Sequence, residues 1–553
     1  MSTAEPTKMQ KAMAQQNALN ARLRKCRVLI VEDSAEARGM MRGFMRDLGV
    51  EKIDLATSGQ EAIDYLQNYA FDIVLCDYNL GKGKDGQQVL EEARFSKYLS
   101  YRSVFIMVTA ETTVEMVMGA LEYQPDNYLS KPFTKNELQR RLERAVATKL
   151  EYKAIEQAFA AEQYEKTITL CQEKIAAEPG GANRAWRLMG ESLLGLSRFE
   201  ESAQLYRKVL AARELTWAKI GLGRSLFQLK QLPEAAQIFT DLVKEQPNVT
   251  ESYDWLAKIQ AAMGEQRVAQ DTLEAACLRS PKAVLRQLEL GRVAMVNRSY
   301  LVAEKAFRKA IMLSADSCYH TPDSYLSYVR ALLVKLDGTA TKLTRETFKE
   351  AQLFLARLRK EFPDDQKVEF RASLLEGLVC FRHQNFAEAN RLIGLSQRMM
   401  ENFDFPQRVP LADEYVGTLS LVDCFDEAEA FVHELQKHSD LPALANRLRQ
   451  RIKDGHARAE SEALNLEALS LYEHGKIMDA HVKFREAARA SGASANLLLN
   501  AARVCLDLAE RRDLNQTEWQ TECKTYLDRL SQLDRCDHRF ETFKALEERF
   551  AGL

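Results

Sequence analysis

Carboxylates that directly follow apolar runs are the first residues in this chain able to do chemistry. Val28-Leu-Ile-Val31 is followed at once by Glu32 and Asp33. Asp72-Ile-Val-Leu-Cys-Asp77 delivers a carboxylate in the same way, Val104-Phe-Ile-Met-Val-Thr109 ends in a hydroxyl, and Tyr128-Leu-Ser-Lys131-Pro132 ends in an ammonium. If each run is a buried strand of one parallel sheet, Glu32, Asp33, Asp77, Thr109 and Lys131 meet at its carboxyl edge, where open α/β sheets bind ligands. Three carboxylates held together repel one another, and a hard cation such as Mg²⁺ with oxygen ligands relieves that repulsion. A carboxylate beside such a cation is a nucleophile for a phosphoryl group, with Lys131 and the metal neutralising the phosphoryl oxygens and Thr109 donating a hydrogen bond. Taken singly these residues have plainer readings. Asp33-Ser34 is good helix-capping chemistry, Thr109 alone is a cap, Lys131 alone a solvated charge and Tyr128 alone a partly buried core residue.

The elements that must position them alternate. Apolar periodicity predicts strands at 28–32, 52–56, 72–76, 103–108 and 126–129, and helices at 34–48, 59–69, 86–98, 111–121 and 134–149. Five strands alternating with helices imply a parallel sheet covered on both faces.

With these residues in this order, residues 26–149 resemble a response-regulator receiver domain, the phosphoryl-accepting half of bacterial two-component signalling. The resemblance implies a flavodoxin-like α/β fold with Asp77 as the phosphorylated aspartate and Glu32 and Asp33 as the acidic pair that holds Mg²⁺. It further implies Thr109 as the switch hydroxyl, Lys131 as the essential lysine and Tyr128 as the aromatic that changes rotamer on activation. Asn79 matches the position whose backbone carbonyl completes the metal shell. Two departures stand out: the acidic pair is Glu-Asp rather than Asp-Asp, and the loop after Asp77 lacks the usual proline and is one residue longer. Neither removes a reactive group.

From Phe133 to Glu178 there is no glycine or proline, and Leu138, Leu142, Val146, Leu150 and Ala154 keep helical spacing across the expected end of the first domain. The last receiver helix is therefore expected to run into, or stack on, the first helix of the next region, a stiff junction.

Beyond residue 150 the pattern is helical throughout. Pro179, Pro247 and Pro281 share a 34-residue frame. In that frame Trp186, Gly190, Phe199 and Tyr206 are followed by Leu222, Gly223, Ala235 and Phe239, then by Tyr253, Ala257, Gly264 and Ala269, then by Leu290, Gly291, Tyr300 and Phe307. This resembles the tetratricopeptide repeat, with two antiparallel helices per unit, small residues at the crossings and aromatics between. The expected organisation is a tail or short helix at 1–25, the receiver at 26–149, best-defined repeats at 150–315 and an irregular helical insertion at 316–368. Degenerate repeats follow at 369–493, and capping helices at 494–553. The fold class is thus an α/β receiver followed by an all-α superhelical solenoid, whose concave groove binds peptides or helices of partner proteins.

Composition narrows the classes. With Lys+Arg 77 against Asp+Glu 79 the chain is near neutral, and no basic block or recognised nucleic-acid reader is present, which argues against nucleic acid as a partner. No apolar run reaches the roughly 20 residues of a membrane span, and the N-terminus lacks a signal-peptide core, so a cytoplasmic protein is expected; the receiver resemblance implies a bacterial one. The ten cysteines form no Cys-x-x-Cys pair, and the eight histidines show no metal-ligand spacing in sequence.

The combined expectation is a two-component regulator without enzymatic output beyond the chemistry of its own aspartate. A histidine kinase or phosphotransfer protein donates to Asp77 with Mg²⁺, and the repeats give protein binding switched by that event. A homodimer stays open. So do a phosphate sink or relay member whose repeats only localise it, and a constitutive scaffold whose receiver is a dimerisation module.

Overall fold

The structure, a computed structural model, describes residues 23–110, 125–178, 182–336, 342–438, 441–489, 493–510, 516–531, 533 and 539–553. The helix expected at 111–121, nearly all of the tail at 1–25, and Pro179 lie outside the described residues.

The chain divides into two compact units, residues 1–293 with 309–320, and residues 294–308 with 321–553. The first begins with β1 (Arg27–Val31), α1 (Ala35–Asp47), β2 (Lys52–Ala56), α2 (Gly59–Asn68), β3 (Ile73–Asp77), α3 (Gly86–Phe95), β4 (Val104–Thr109), β5 (Asn127–Ser130) and α4 (Lys135–Glu151). All strand pairs are parallel, in the order β2-β1-β3-β4-β5. Because strand side chains alternate, consecutive residues enter opposite layers. Val28, Ile30, Ile73, Leu75, Ile106 and Val108 pack with Met41 and Met45 of α1 and Leu138 and Leu142 of α4. Leu29, Val31, Val74, Cys76, Phe105 and Met107 pack with Ala62, Ile63 and Leu66 of α2 and Val89 and Leu90 of α3. The continuous apolar runs are what a sheet buried on both faces requires. Leu23, ahead of β1, is 1% exposed and belongs to the α1/α4 layer. Side-chain caps fix where the helices start. Ser34 and Ser58 each accept one backbone N–H, and reciprocal capping boxes form at Asp85–Gln88 and Thr134–Glu137.

Only Tyr152 separates α4 from α5 (Lys153–Ala160). Then come α6 (Tyr164–Ala177), α7 (Asn183–Gly195), α8 (Phe199–Ala212), α9 (Thr216–Gln228), α10 (Leu232–Glu245), α11 (Thr250–Ala262), α12 (Gln266–Arg279), α13 (Val284–Val296) and α14 (Tyr300–Ser314). Tyr206 shows why the repeat pattern demands small residues. Its buried ring lies where a Cβ on Gly190 would sit 2.3 Å from Oη and a Cβ on Gly221 would sit 2.2 Å from Cζ. Neighbouring crossings use serine: Ser225 Oγ donates to Ser202 Oγ at 3.0 Å, and Ser202 Oγ to the Gly190 carbonyl at 3.3 Å.

The turns inside the repeats carry a residue with left-handed backbone: Glu162 (φ 57°), Ser197 (φ 59°), Lys230 (φ 62°), Gly264 (φ 86°) and Arg298 (φ 61°). They recur about every 34 residues, the length of one two-helix unit. At all five the turn is tight: the residue's N–H donates to the carbonyl three residues back, and the next N–H donates to the carbonyl five residues before it.

The second unit continues with α15 (Pro322–Leu332), a 3₁₀ turn at Leu333–Leu336, α16 (Lys342–Glu361), α17 (Gln366–Arg382), α18 (Phe386–Asn402), α19 (Phe405–Leu421), α20 (Phe425–His438) and α21 (Pro442–Glu473). α22 (Ile477–Ala488), α23 (Ala495–Glu510), α24 (Gln516–Leu530) and α25 (Phe540–Ala551) share a core around Phe484, Leu498, Val504, Leu527 and Phe543. No helix among the described residues is long and apolar enough to cross a membrane.

Two substitutions at one crossing should act in opposite directions. Gly221→Ala drives a methyl into the Tyr206 ring and should lower stability by about 1–3 kcal/mol in urea unfolding. Tyr206 Oη is buried without a hydrogen-bond partner among the described residues, so Tyr206→Phe should be neutral or raise stability by up to about 1 kcal/mol.

Candidate functional site

Three adjacent strands and the loop after β5 converge on one group of charges. Glu32 follows β1, its N–H donating to the Ala56 carbonyl at 3.1 Å, and the residue is 1% exposed. Asp77 ends β3 and is 6% exposed. Lys131 follows β5, and its N–H donates to the Thr109 carbonyl at 2.7 Å. Its ammonium lies 2.7 Å from Glu32 Oε2 and 3.2 Å from Asp77 Oδ2, so one cation bridges two buried carboxylates. Asp77 Oδ1 accepts the Tyr78 backbone N–H at 3.0 Å. Asp33 is exposed at the rim, and one ligand atom from each of Glu32, Asp33 and Asp77 lies within 4.8 Å of the others.

The electrostatics follow from this packing. Burial pushes the Asp77 carboxyl up to about 6, with Glu32 adding to the rise and Lys131 and the Tyr78 N–H opposing it. Lys131 loses from burial but is held above its ordinary value by its hydrogen bond to Glu32 and by the charges of Asp77 and Glu32. One ammonium does not neutralise three carboxylates. An all-oxygen, over-negative donor set of this kind fits a hard divalent cation.

Thr109 closes β4, next to β3, and is 1% exposed. Tyr128 lies in the middle of β5, opposite Met107, and packs partly buried on the α2/α3 layer. Asn79 lies in the loop after β3, where its side-chain carbonyl accepts the Gly81 N–H at 3.3 Å.

Sequence reading missed three supports. Arg38 donates to the Glu32 carbonyl at 2.7 Å and to the Asp33 carbonyl at 3.2 Å, tying the acidic turn to α1. Gly86 opens α3 so close to the Asp77 carbonyl that a Cβ would sit 2.1 Å from it, and its N–H donates to the Tyr78 carbonyl at 2.8 Å. The third is the Tyr78 N–H itself. The glycine five residues after Gly81 was a visible signal; a backbone donor has none.

In the second unit, His481 of α22, Cys505 of α23 and Glu522 of α24 also gather within 4.8 Å, which spacing along the chain did not reveal. There His481 Nε2 is 2.7 Å from Glu522 Oε2, and Arg485 pairs with the other oxygen at 3.1 Å. Burial pushes the Cys505 thiol up.

Comparison with known proteins finds two families along the chain. Residues 28–143 match the response regulator receiver domain family, and residues 187–249 match a tetratricopeptide repeat family. The chain is similar to the chemotaxis protein CheY-3 of Vibrio cholerae, 31% identical over 118 residues, which are 21% of this chain and 89% of that protein. It is likewise similar to the chemotaxis protein CheY of Pseudomonas aeruginosa, 30% identical over 118 residues and 94% of that protein. Among solved structures, the receiver domain of a modulated diguanylate cyclase from Desulfovibrio desulfuricans is 30% identical, with 23% of this chain and 98% of that one covered and a TM-score of 0.21.

Removing the bridging ammonium tests the electrostatic account. Lys131→Met leaves Glu32 and Asp77 buried and unpaired, so in metal-free buffer it should cost about 3–5 kcal/mol of receiver stability. Added Mg²⁺ should recover part of that loss, read as the shift of the urea midpoint; a midpoint equal to wild type in metal-free buffer contradicts the account.

Proposed function

The chain belongs to the response regulators, and from that premise we propose that Asp77 accepts a phosphoryl group and that the helical repeats convert this event into protein binding. The donor is a histidine kinase or phosphotransfer protein. One observation carries the reading: a buried carboxylate at a strand end, flanked by two further acids and contacted by a lysine ammonium.

Glu32, Asp33 and Asp77 would hold Mg²⁺, with the Asn79 backbone carbonyl as a further oxygen, and the bound ion supplies charge neutralisation at the phosphoryl oxygens. The chain's own groups do the rest. An Asp77 carboxylate oxygen forms the new bond to phosphorus as the donor's P–N bond breaks. The Lys131 ammonium, already 3.2 Å from Asp77, balances charge on the transferred oxygens. The Thr109 hydroxyl donates to a phosphoryl oxygen, and the Tyr128 ring follows the change at the end of β4, biasing an existing two-state equilibrium.

The output is non-enzymatic. Among the repeats a cavity of about 450 Å³ is lined by apolar residues such as Ile168, Trp186, Met189 and Leu193 together with the charged Arg198, Glu201 and Lys208, a seat for an extended or helical segment of a partner. The working compartment in this reading is the cytoplasm, where the kinase domains that supply such phosphoryl groups face.

The test is phosphoryl uptake from acetyl phosphate with and without Mg²⁺, followed by partner capture with beryllofluoride, a mimic of the phosphorylated aspartate. Wild type should take up one phosphoryl group in a Mg²⁺-dependent way, and Asp77→Asn none. Equal uptake by the two proteins would refute the assignment. Partners that change with beryllofluoride in wild type but not in Asp77→Asn mark a switched adaptor, whereas identical partners remove the switch.

A further inference from the structure

The loop and helix after Asp77 are held by the repeat region of the same unit. Lys282, on the turn between α12 and α13, places its ammonium 3.4 Å from Asp85 Oδ2 and 5.3 Å from the Tyr78 ring centroid. Asp85 is the residue that caps α3, its Oδ1 accepting the Gln88 N–H at 2.9 Å. Along α3 the contacts continue. Gln88 Nε2 donates to the Leu313 carbonyl at 3.4 Å, the buried Ser317 hydroxyl donates to Glu91 Oε2 at 3.4 Å, and the rings of Phe95 and Tyr319 meet edge-on at 5.8 Å. Glu91 is 6% exposed, a burial that follows from the covering segment. So one face of α3, from its cap to its last residue, is occupied by residues that follow it by about two hundred positions.

What makes this more than packing is the identity of the loop. Tyr78 supplies the N–H that donates to Asp77 Oδ1, and its carbonyl accepts the Gly86 N–H that opens α3. Lys282 thus touches both ends of the short segment that aims this donor. A donor that is already oriented before charge develops is worth more than one that must be ordered at that moment.

We propose that Lys282 is a positioning residue for the Asp77 site: it clamps the Tyr78–Asp85 loop, and negative charge arriving at Asp77 tightens the seat of residues 313–319 on α3. The proposal rests on the reading of Asp77 as phosphoacceptor. The sign comes from charge. A phosphoryl group adds negative charge next to Tyr78, which draws the Lys282 ammonium further onto the loop. By linkage, whatever strengthens the clamp strengthens occupancy of Asp77 by the same factor.

The full-length chain tests this with Mg²⁺ and beryllofluoride as the probe. In wild type, amide exchange in residues 313–320 should slow when the probe binds. Lys282→Ala should weaken beryllofluoride affinity about five-fold and abolish the exchange response, while Lys282→Arg, which keeps a cation at the site, should retain both. The Lys282 side chain is 42% exposed, and an unchanged circular dichroism spectrum and melting temperature serve as the folding check. If wild type binds the probe but Lys282→Ala binds it equally well and 313–320 do not respond, the clamp is refuted and the phosphoacceptor reading stands. If wild type fails to bind the probe at all, that reading falls and the clamp falls with it.

Discussion

The Lys131 ammonium between Glu32 and Asp77 is the interaction on which the receiver site depends. Both carboxylates are withdrawn from water, and a charge buried without a partner is among the most destabilising features a fold can contain. The sheet order β2-β1-β3-β4-β5 sets the difficulty. β1 and β3 are neighbours, so their acids meet directly, but Lys131 comes from beyond β5. Strands lie about 4.8 Å apart, so β5 is about two spacings from β3, and only a long, flexible cationic side chain reaches across β4. Its anchor is correspondingly firm. The Lys131 N–H is tied to the Thr109 carbonyl, so the hydroxyl-bearing end of β4 and the cation move together.

A second chain of charges carries that rigidity out of the receiver. Lys149 on α4 pairs with Asp126 at 3.0 Å and approaches Glu156 of α5 at 3.9 Å, and Glu156 in turn pairs with Arg184 of α7. Burial raises the Glu156 carboxyl above its ordinary range, against the pull of Arg184 and Lys149. Asp126, just ahead of β5, is thus linked through three further side chains to the first repeats. At the start of the repeats only Tyr152 separates α4 from α5.

How far the sequence spoke depends on the range of each interaction. Strand ends were legible because apolar runs and the acids after them are local, and all five strands lie within one residue of their expected bounds. The 34-residue frame was legible through Gly190 and Tyr206, whose volumes must be complementary wherever two helices cross. The left-handed turns were not: Glu162, Ser197, Lys230 and Arg298 are poor predictors of positive φ, and it is the helix pairing on either side that holds them there. The gathering of His481, Cys505 and Glu522 was hidden for a different reason, since each comes from a separate helix and no spacing rule spans three. The same holds for Lys282 and Asp85, which are ordinary surface residues until the fold brings them together.

These contacts give the first unit two attachments between receiver and repeats. One is the charge chain at residues 126–184, the other the seat of Lys282 and residues 313–319 along α3. Repeats contact chiefly their neighbours in sequence, so a stack transmits displacement one unit at a time. A stack fixed at one end follows its anchor as a rigid appendage. Here the helices from α7 to α12 lie between two anchors on the same receiver, and those anchors sit on different elements: α4, which packs on one side of the sheet, and α3, which packs on the other. Any relative shift of the two helices must be absorbed by the repeats in between. Close-packed helical pairs such as the Tyr206 crossing resist continuous deformation. Under the proposed clamp, a small displacement in the loop after Asp77 would be passed on as strain across those repeats, the Trp186-lined cavity among them.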